Sequence, residues 1–396
     1  MQRDRSHLYH EGVRRLCTLL LCVAGCGPGS GSNSGGGPDM AFVPAFAAHD
    51  KVDILFMIDN SFSQPIQAEL QNRFPQLIKA LDTAAMAGHP ASYHIGVVDS
   101  DLGAGLNTAN CKAGGDGGKL QVGFDPSGSV PPPANCANFT LTGGVRFLEY
   151  DQITGTNNVG GGLNVPDAFN CMAHVGDTGC GFQHQLESTY RALHDPPPEN
   201  AGFLRDDALL VVFYLTDEDD CSAPDDTDLF VNTTEAMSMY GVLSSFRCTE
   251  FGIVCGEPAA PLSMTTASGP FDDCRPMKPE EGGKLFDVQR YIDFFTKPNG
   301  VKPDPSDVIL AAIAAPPMPV GVTITMPCAE QTNQPSCPIL NHSCVAATNN
   351  NFFGDPGVRM AAVVNAALTP QLTSECETDY SDAMAGLAQK IIARLK

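Results

Sequence analysis

Basic residues are scarce in this chain: 23 Lys and Arg stand against 45 Asp and Glu, a formal net charge of -22 at neutral pH. A surface of that sign repels a phosphate backbone, which excludes nucleic acid as a partner and favours divalent cations. The familiar catalytic signatures are missing too. There is no H-E-x-x-H, no G-x-S-x-G elbow and no phosphate loop, since Gly118-Lys119 lacks the upstream Gly and the following Ser or Thr. Among 15 cysteines no C-x-x-C pair occurs, and no His accompanies them at zinc spacing. Long apolar runs are also absent, the N-terminal segment 16–25 being too short to span a bilayer. Covalent catalysis and zinc folding therefore have no motif behind them.

What the N-terminus does contain is Arg14-Arg15 followed by that short apolar segment, the pattern of a signal peptide over residues 1–25. Val23-Ala24-Gly25-Cys26 resembles a bacterial lipobox, which implies cleavage before Cys26 and lipid on its sulfur. Residues 26–50 are rich in Gly, Ser and Pro and read as a tether. Gly27 lacks the inner-membrane retention aspartate, so the expected address is the outer membrane or cell surface of a diderm bacterium, with membrane contact through the lipid alone. Export suits the cysteines. With Cys17 and Cys22 lost and Cys26 lipidated, an even set remains: Cys111, Cys136, Cys171, Cys180, Cys221, Cys248, Cys255, Cys274, Cys328, Cys337, Cys344 and Cys376. Connectivity is open, although short spacing suggests Cys171 with Cys180, Cys248 with Cys255 and Cys337 with Cys344, and bridges at Cys180 and Cys221 would brace nearby loops.

Buried strands are legible as continuous apolar runs: Val52 to Ile58, Tyr93 to Val98, Ala208 to Leu215 and Val308 to Ala314. Helical spacing marks Gln64 to Leu81, Gln185 to Leu193, Leu285 to Phe295 and Ala383 to Leu395. The first run ends in Asp59-x-Ser61-x-Ser63 and the third in Thr216-Asp217. Ligands of parallel sheets bind beyond the carboxyl ends of the strands, where these acids fall.

With these residues the chain resembles a von Willebrand factor type A domain, whose metal-ion-dependent adhesion site uses D-x-S-x-S after the first strand and an Asp after a later one. The resemblance covers residues 51–396 and implies an α/β fold, a doubly wound and mainly parallel sheet flanked by helices, with disulfide-bonded insertions at about 102–167 and 221–305. It implies that Ser61 and Ser63 ligate the ion directly, that Asp59 and Asp217 hold it directly or through water, and that a loop threonine completes the set. Thr178, in the Gly-rich run 176–183, is the first choice, with Thr154 or Thr156 as substitutes. Asp217-Glu218 departs from the family's usual Asp-Gly. Carboxylates and hydroxyls suit a hard cation, Mg2+ foremost and Mn2+ or Ca2+ as alternatives. The implied function is adhesion to a protein or glycan whose acidic group completes the coordination shell, with no enzymatic step. The runner-up is a structural envelope or matrix protein, and third an uncharacterised hydrolase using Glu218 or Asp219. The narrower run Asp217-Glu218-Asp219-Asp220-Cys221-Ser222 also resembles largely uncharacterised von Willebrand A-like lipoproteins of myxobacteria.

The densest acidic cluster, Asp217 to Asp220 with Asp225, Asp226 and Asp228, lacks the Gly and Glu positions of an EF-hand. It reads as a solvated rim, with a separate Ca2+ site as the alternative.

Overall fold

Strands that are aliphatic on both faces can hide both only between two layers of helices. The computed structural model describes residues 46–61, 64–105, 111–123, 131–256, 258–262, 268–328 and 336–396, and shows that arrangement. Residues 1–45, with the expected signal peptide and the lipid site Cys26, and Ser63 lie outside the described residues. A central seven-stranded sheet comprises β1 (Lys51–Ile58), β2 (Ser92–Asp99), β3 (Leu148–Asp151), β4 (Thr156–Asn157), β5 (Leu209–Leu215), β6 (Val308–Ala314) and β7 (Pro370–Ser374). Their order is β7-β6-β5-β1-β2-β3-β4, parallel from β7 to β2, with β3 and β4 added antiparallel at one edge. The segment 102–167 is thus not wholly irregular, because its last part supplies that edge.

Helices α1 (Gln64–Met86), α2 (Val165–Met172), α3 (Gln185–Leu193), α4 (Gln289–Thr296), α5 (Val358–Ala366) and α6 (Ser381–Ile392) cover the sheet. Alternation along β1 sorts its side chains. Val52, Ile54, Phe56 and Ile58 join the core under α1, α2 and α6, while Leu55 and Met57 join the one under α3, α4 and α5. Phe74 of α1 stacks on Phe169 of α2 at 3.6 Å between ring centroids, and Phe169 lies edge-on to Phe56 at 4.7 Å. These rings fix two helices against the strand that carries Asp59. No helix among the described residues is long and apolar enough to cross a membrane.

Six disulfides join Cys111 to Cys180, Cys136 to Cys171, Cys221 to Cys248, Cys255 to Cys274, Cys328 to Cys337 and Cys344 to Cys376. The pairings suggested by short spacing are corrected: Cys171, Cys180, Cys248, Cys255, Cys337 and Cys344 all have other partners. Nor does a bridge close within 102–167, since its two cysteines reach out to α2 and to the loop before α3. Chain proximity fails here because the loops are placed by the sheet, and a bridge forms wherever that placement brings two sulfurs together.

The acidic run after β5 is likewise not a solvated rim. Asp220 is fully buried and paired with the buried guanidinium of Arg359 at 3.0 Å, and it also accepts from the Ser222 hydroxyl and the Leu186 amide. Both oxygens of Asp219 accept the Arg359 amide and one also the Met360 amide, in the first turn of α5. Farther out, Asp225 pairs with Arg191, and Asp228 with Lys284 and Tyr240. The described body also begins beside its last residues: the His49 amide donates to Arg394 O at 2.7 Å, and the Lys396 amide to His49 O at 2.9 Å. Arg359→Leu would leave the Asp220 charge buried without a counter-ion, so we expect a loss of about 3–5 kcal/mol in urea denaturation; an unchanged midpoint would show that Asp220 is not held as a charge.

Candidate metal centre

Strand order reverses between β1 and β5: β2 follows β1 on one side, while β5, β6 and β7 run outward on the other. Such a reversal opens a crevice at the carboxyl ends of the two strands. Ile58 lies opposite Leu215, so Asp59 and Thr216 leave the sheet together. The Thr216 hydroxyl donates to Asp59 Oδ2 at 2.7 Å, and the Ser61 amide donates to Oδ1 at 3.0 Å, with the Ser61 hydroxyl 3.4 Å from the same atom. Asp59 is fully buried and Ser61 nearly so.

The loop before α3 reaches the same place. Ser61 and Thr178 face each other in an isolated antiparallel bridge, and the Gly179 amide donates to Asn60 O at 2.9 Å. A Cβ on Gly179 would lie 2.2 Å from Asn60 Oδ1, so glycine is what lets the two loops touch. Gln67 of α1 ties them from below, donating to Asp59 O and Gly176 O, both at 2.8 Å. Gln183 adds a bond to Ser100, which in turn reaches Asn60, and the Cys111–Cys180 and Cys221–Cys248 bridges brace the two flanks.

Asp59, Ser61, Thr178 and Asp217 are therefore brought to one rim, while Ser63 lies outside the described residues. Thr156 is exposed on edge strand β4, and Thr154 bonds to Thr156 in the adjoining turn, so neither belongs to this rim. Sequence reasoning missed Thr216, Gln67, Asp355 and Glu375. Glu375 ends β7 as Asp59 ends β1, and its amide donates to Ala314 O across the rim. It was hidden because Pro370–Ser374 is a polar edge strand without an apolar run. At Gly354 a Cβ would come within 1.9 Å of Glu375 Oε1, which explains a second glycine.

Electrostatics at this rim are one-sided. Burial raises the Asp59 carboxyl above its ordinary value, opposed by the bonds from Thr216 and Ser61. Burial, then repulsion from Asp59, Glu375 and Asp355, raises Asp217 well above its own. Burial pushes Glu375 up to about 8. Asp217 Oδ1 and Glu375 Oε2 are buried with no hydrogen-bond partner among the described residues. The Ser61 hydroxyl beside Asp59, and the unsatisfied oxygen of Asp217, are of the donor types that a hard cation takes, and a bound cation would offset the repulsion. A second grouping, Cys344, Glu375 and Cys376, also brings three donor atoms within 4.8 Å of one another. Its two sulfurs are bonded to each other, however, so neither is a thiolate ligand in the oxidised protein.

No family model matches this chain, and no curated protein matches it.

Without a cation, a buried acid that holds its proton more tightly than in the unfolded chain gives stability that is complete below the unfolded pKa. That stability is lost as pH rises through the folded value. For Glu375 the window runs from the ordinary glutamate value of 4.5 to about 8. In EDTA, Glu375→Gln should stabilise the domain by about 3 kcal/mol at pH 7, at ~1.4 kcal/mol per pH unit, and by little near pH 4.5. Denaturant midpoints at the two pH values check this, and equal gains at both would show the shift is absent.

Proposed function

We propose that this chain is a von Willebrand A-like adhesion domain that binds a protein or glycan ligand through a divalent cation, Mg2+ foremost and Mn2+ or Ca2+ as alternatives. The observation that carries the reading is the meeting of Asp59, Ser61, Thr178 and Asp217 at the reversal point of the sheet, with a carboxylate oxygen left unpaired. Ser61 and Thr178 would supply neutral oxygens, joined by Ser63, and Asp59 and Asp217 the charge. A bound Mg2+ supplies a Lewis-acid position that an incoming carboxylate can fill. The residues of the chain do the rest: Thr216 and Gln67 orient Asp59 and its loop, and the glycine at 179 keeps Thr178 against Ser61.

The reading involves no turnover. Asp219, one of the two residues the hydrolase alternative could use, is already engaged by the amides of α5. Export, lipidation at Cys26 and display from the outer membrane belong to the same proposal. A structural envelope protein stapled by its six disulfides is the second reading, in which a cation only stabilises the rim.

Calorimetric titration with Mg2+ and Mn2+ separates the two variants of the site. Asp59→Ala should abolish saturable binding while circular dichroism stays unchanged, and Thr178→Ala should weaken it by about tenfold. Unaltered affinity in Asp59→Ala would end the assignment.

A further inference from the structure

A cavity of about 230 Å³ shares Asp217 with the metal centre. Phe246, Ile339, Leu340 and Phe353 form its apolar sides, and Asp217, Glu218, Asp355, Ser245 and His342 line the rest. Three separate segments supply those walls: the short helix Phe246–Glu250, the strand Cys337–Leu340 and the strand Phe353–Gly354. The first two carry a disulfide, through Cys248 and Cys337, and the third pairs with the strand Cys344–Val345, which carries another. The cavity is also tied to the rim. Asp355 donates its amide to Asp217 O at 2.8 Å, and its carboxylate holds His342 Nδ1 at 2.7 Å, with the imidazole packed 4.4 Å from the Phe353 ring. Phe246 and Leu340 are buried, whereas Ile339 and Phe353 remain partly open to solvent, so the apolar lining has a mouth.

We infer that this cavity is the specificity pocket of the site: it takes an aliphatic side chain adjacent to the acidic residue of a peptide ligand whose carboxylate reaches the cation. The inference rests on the metal reading above. Size is compatible with it, because about 230 Å³ is less than the ~300–1,000 Å³ of pockets that enclose a whole small ligand, and has room for an aliphatic side chain. The four apolar walls, Phe246, Ile339, Leu340 and Phe353, offer an aliphatic side chain surface to bury against. Charge restricts the peptide further. A body with net charge -22 repels an acidic run, so the ligand presents one carboxylate between apolar neighbours rather than a polyacidic stretch. Preformed walls held by disulfides add little ordering cost on binding.

Four probes test this on the oxidised full chain with Mn2+: acetyl-Leu-Asp-Leu-amide, acetyl-Gly-Asp-Gly-amide, acetyl-Leu-Asn-Leu-amide and methyl glucuronide. Bound Mn2+ is counted separately by electron paramagnetic resonance. The leucine-flanked acid should bind about tenfold or more tighter than the glycine-flanked one, the gain for burying one such side chain. The asparagine peptide should not bind. Ile339→Trp, which fills the pocket, should erase the leucine preference while Mn2+ affinity stays as in the parent, and Phe353→Ala should reduce it. Equal affinity for the two acidic peptides, or a preference that survives Ile339→Trp, overturns the pocket and leaves the metal centre standing. Tighter binding of the glucuronide overturns the peptide assignment. Absence of bound Mn2+ in the parent protein overturns the metal reading and this inference with it.

Discussion

Parallel pairing of β1 with β5, at the place where strand order turns back on itself, is the constraint on which the other features depend. Both strands are covered on two faces, so from Ile54 to Ile58 and from Leu209 to Leu215 they are apolar, the buried Asp53 near the start of β1 being paired with Arg205 at 2.7 Å. In-register pairing then sets Asp59 beside Thr216 and Asp217. Everything that approaches the rim afterwards, the Thr178 loop, Gln67 of α1 and Asp355, is shaped to bond to a pair of positions already fixed by the sheet.

Four consecutive residues after β5 show two treatments of buried charge. Asp219 and Asp220 are satisfied, one by amides of α5 and the other by Arg359, and they fasten the exit of β5 to two helices. Asp217, three residues before Asp220, faces only charges of its own sign among the groups that raise it. Among the described residues Asp217 Oδ1 is buried without a hydrogen-bond partner whereas Asp220 is fully engaged, and that contrast argues for a role outside folding.

The sheet's centre was readable in advance because Val52 to Ile58, Leu209 to Leu215 and Val308 to Ala314 carry their burial in composition. Helices α1, α3 and α6 followed from spacing. What escaped had no local signal. β7 is polar because it lies at an edge, so no apolar run pointed to the buried Glu375 that follows it. Arg359 sits in an apolar helix far along the chain, and nothing near Asp220 in sequence announces it. Disulfide partners were misjudged for the same reason, since long-range placement rather than spacing along the chain decides them.

The meeting of the first and last described residues gives the body a defined mechanical entry. Tension arriving through the chain before Phe46 reaches His49, whose backbone is hydrogen-bonded to Arg394 and Lys396 and whose ring is bonded to Asp307. Arg394 in turn grips Ser306 O and Asp307, next to β6. A pull on that end is therefore shared at once between β1, the segment after α6 and the start of β6, and these bonds are loaded side by side across the end of the sheet opposite the acidic rim. The rim would feel such a load last.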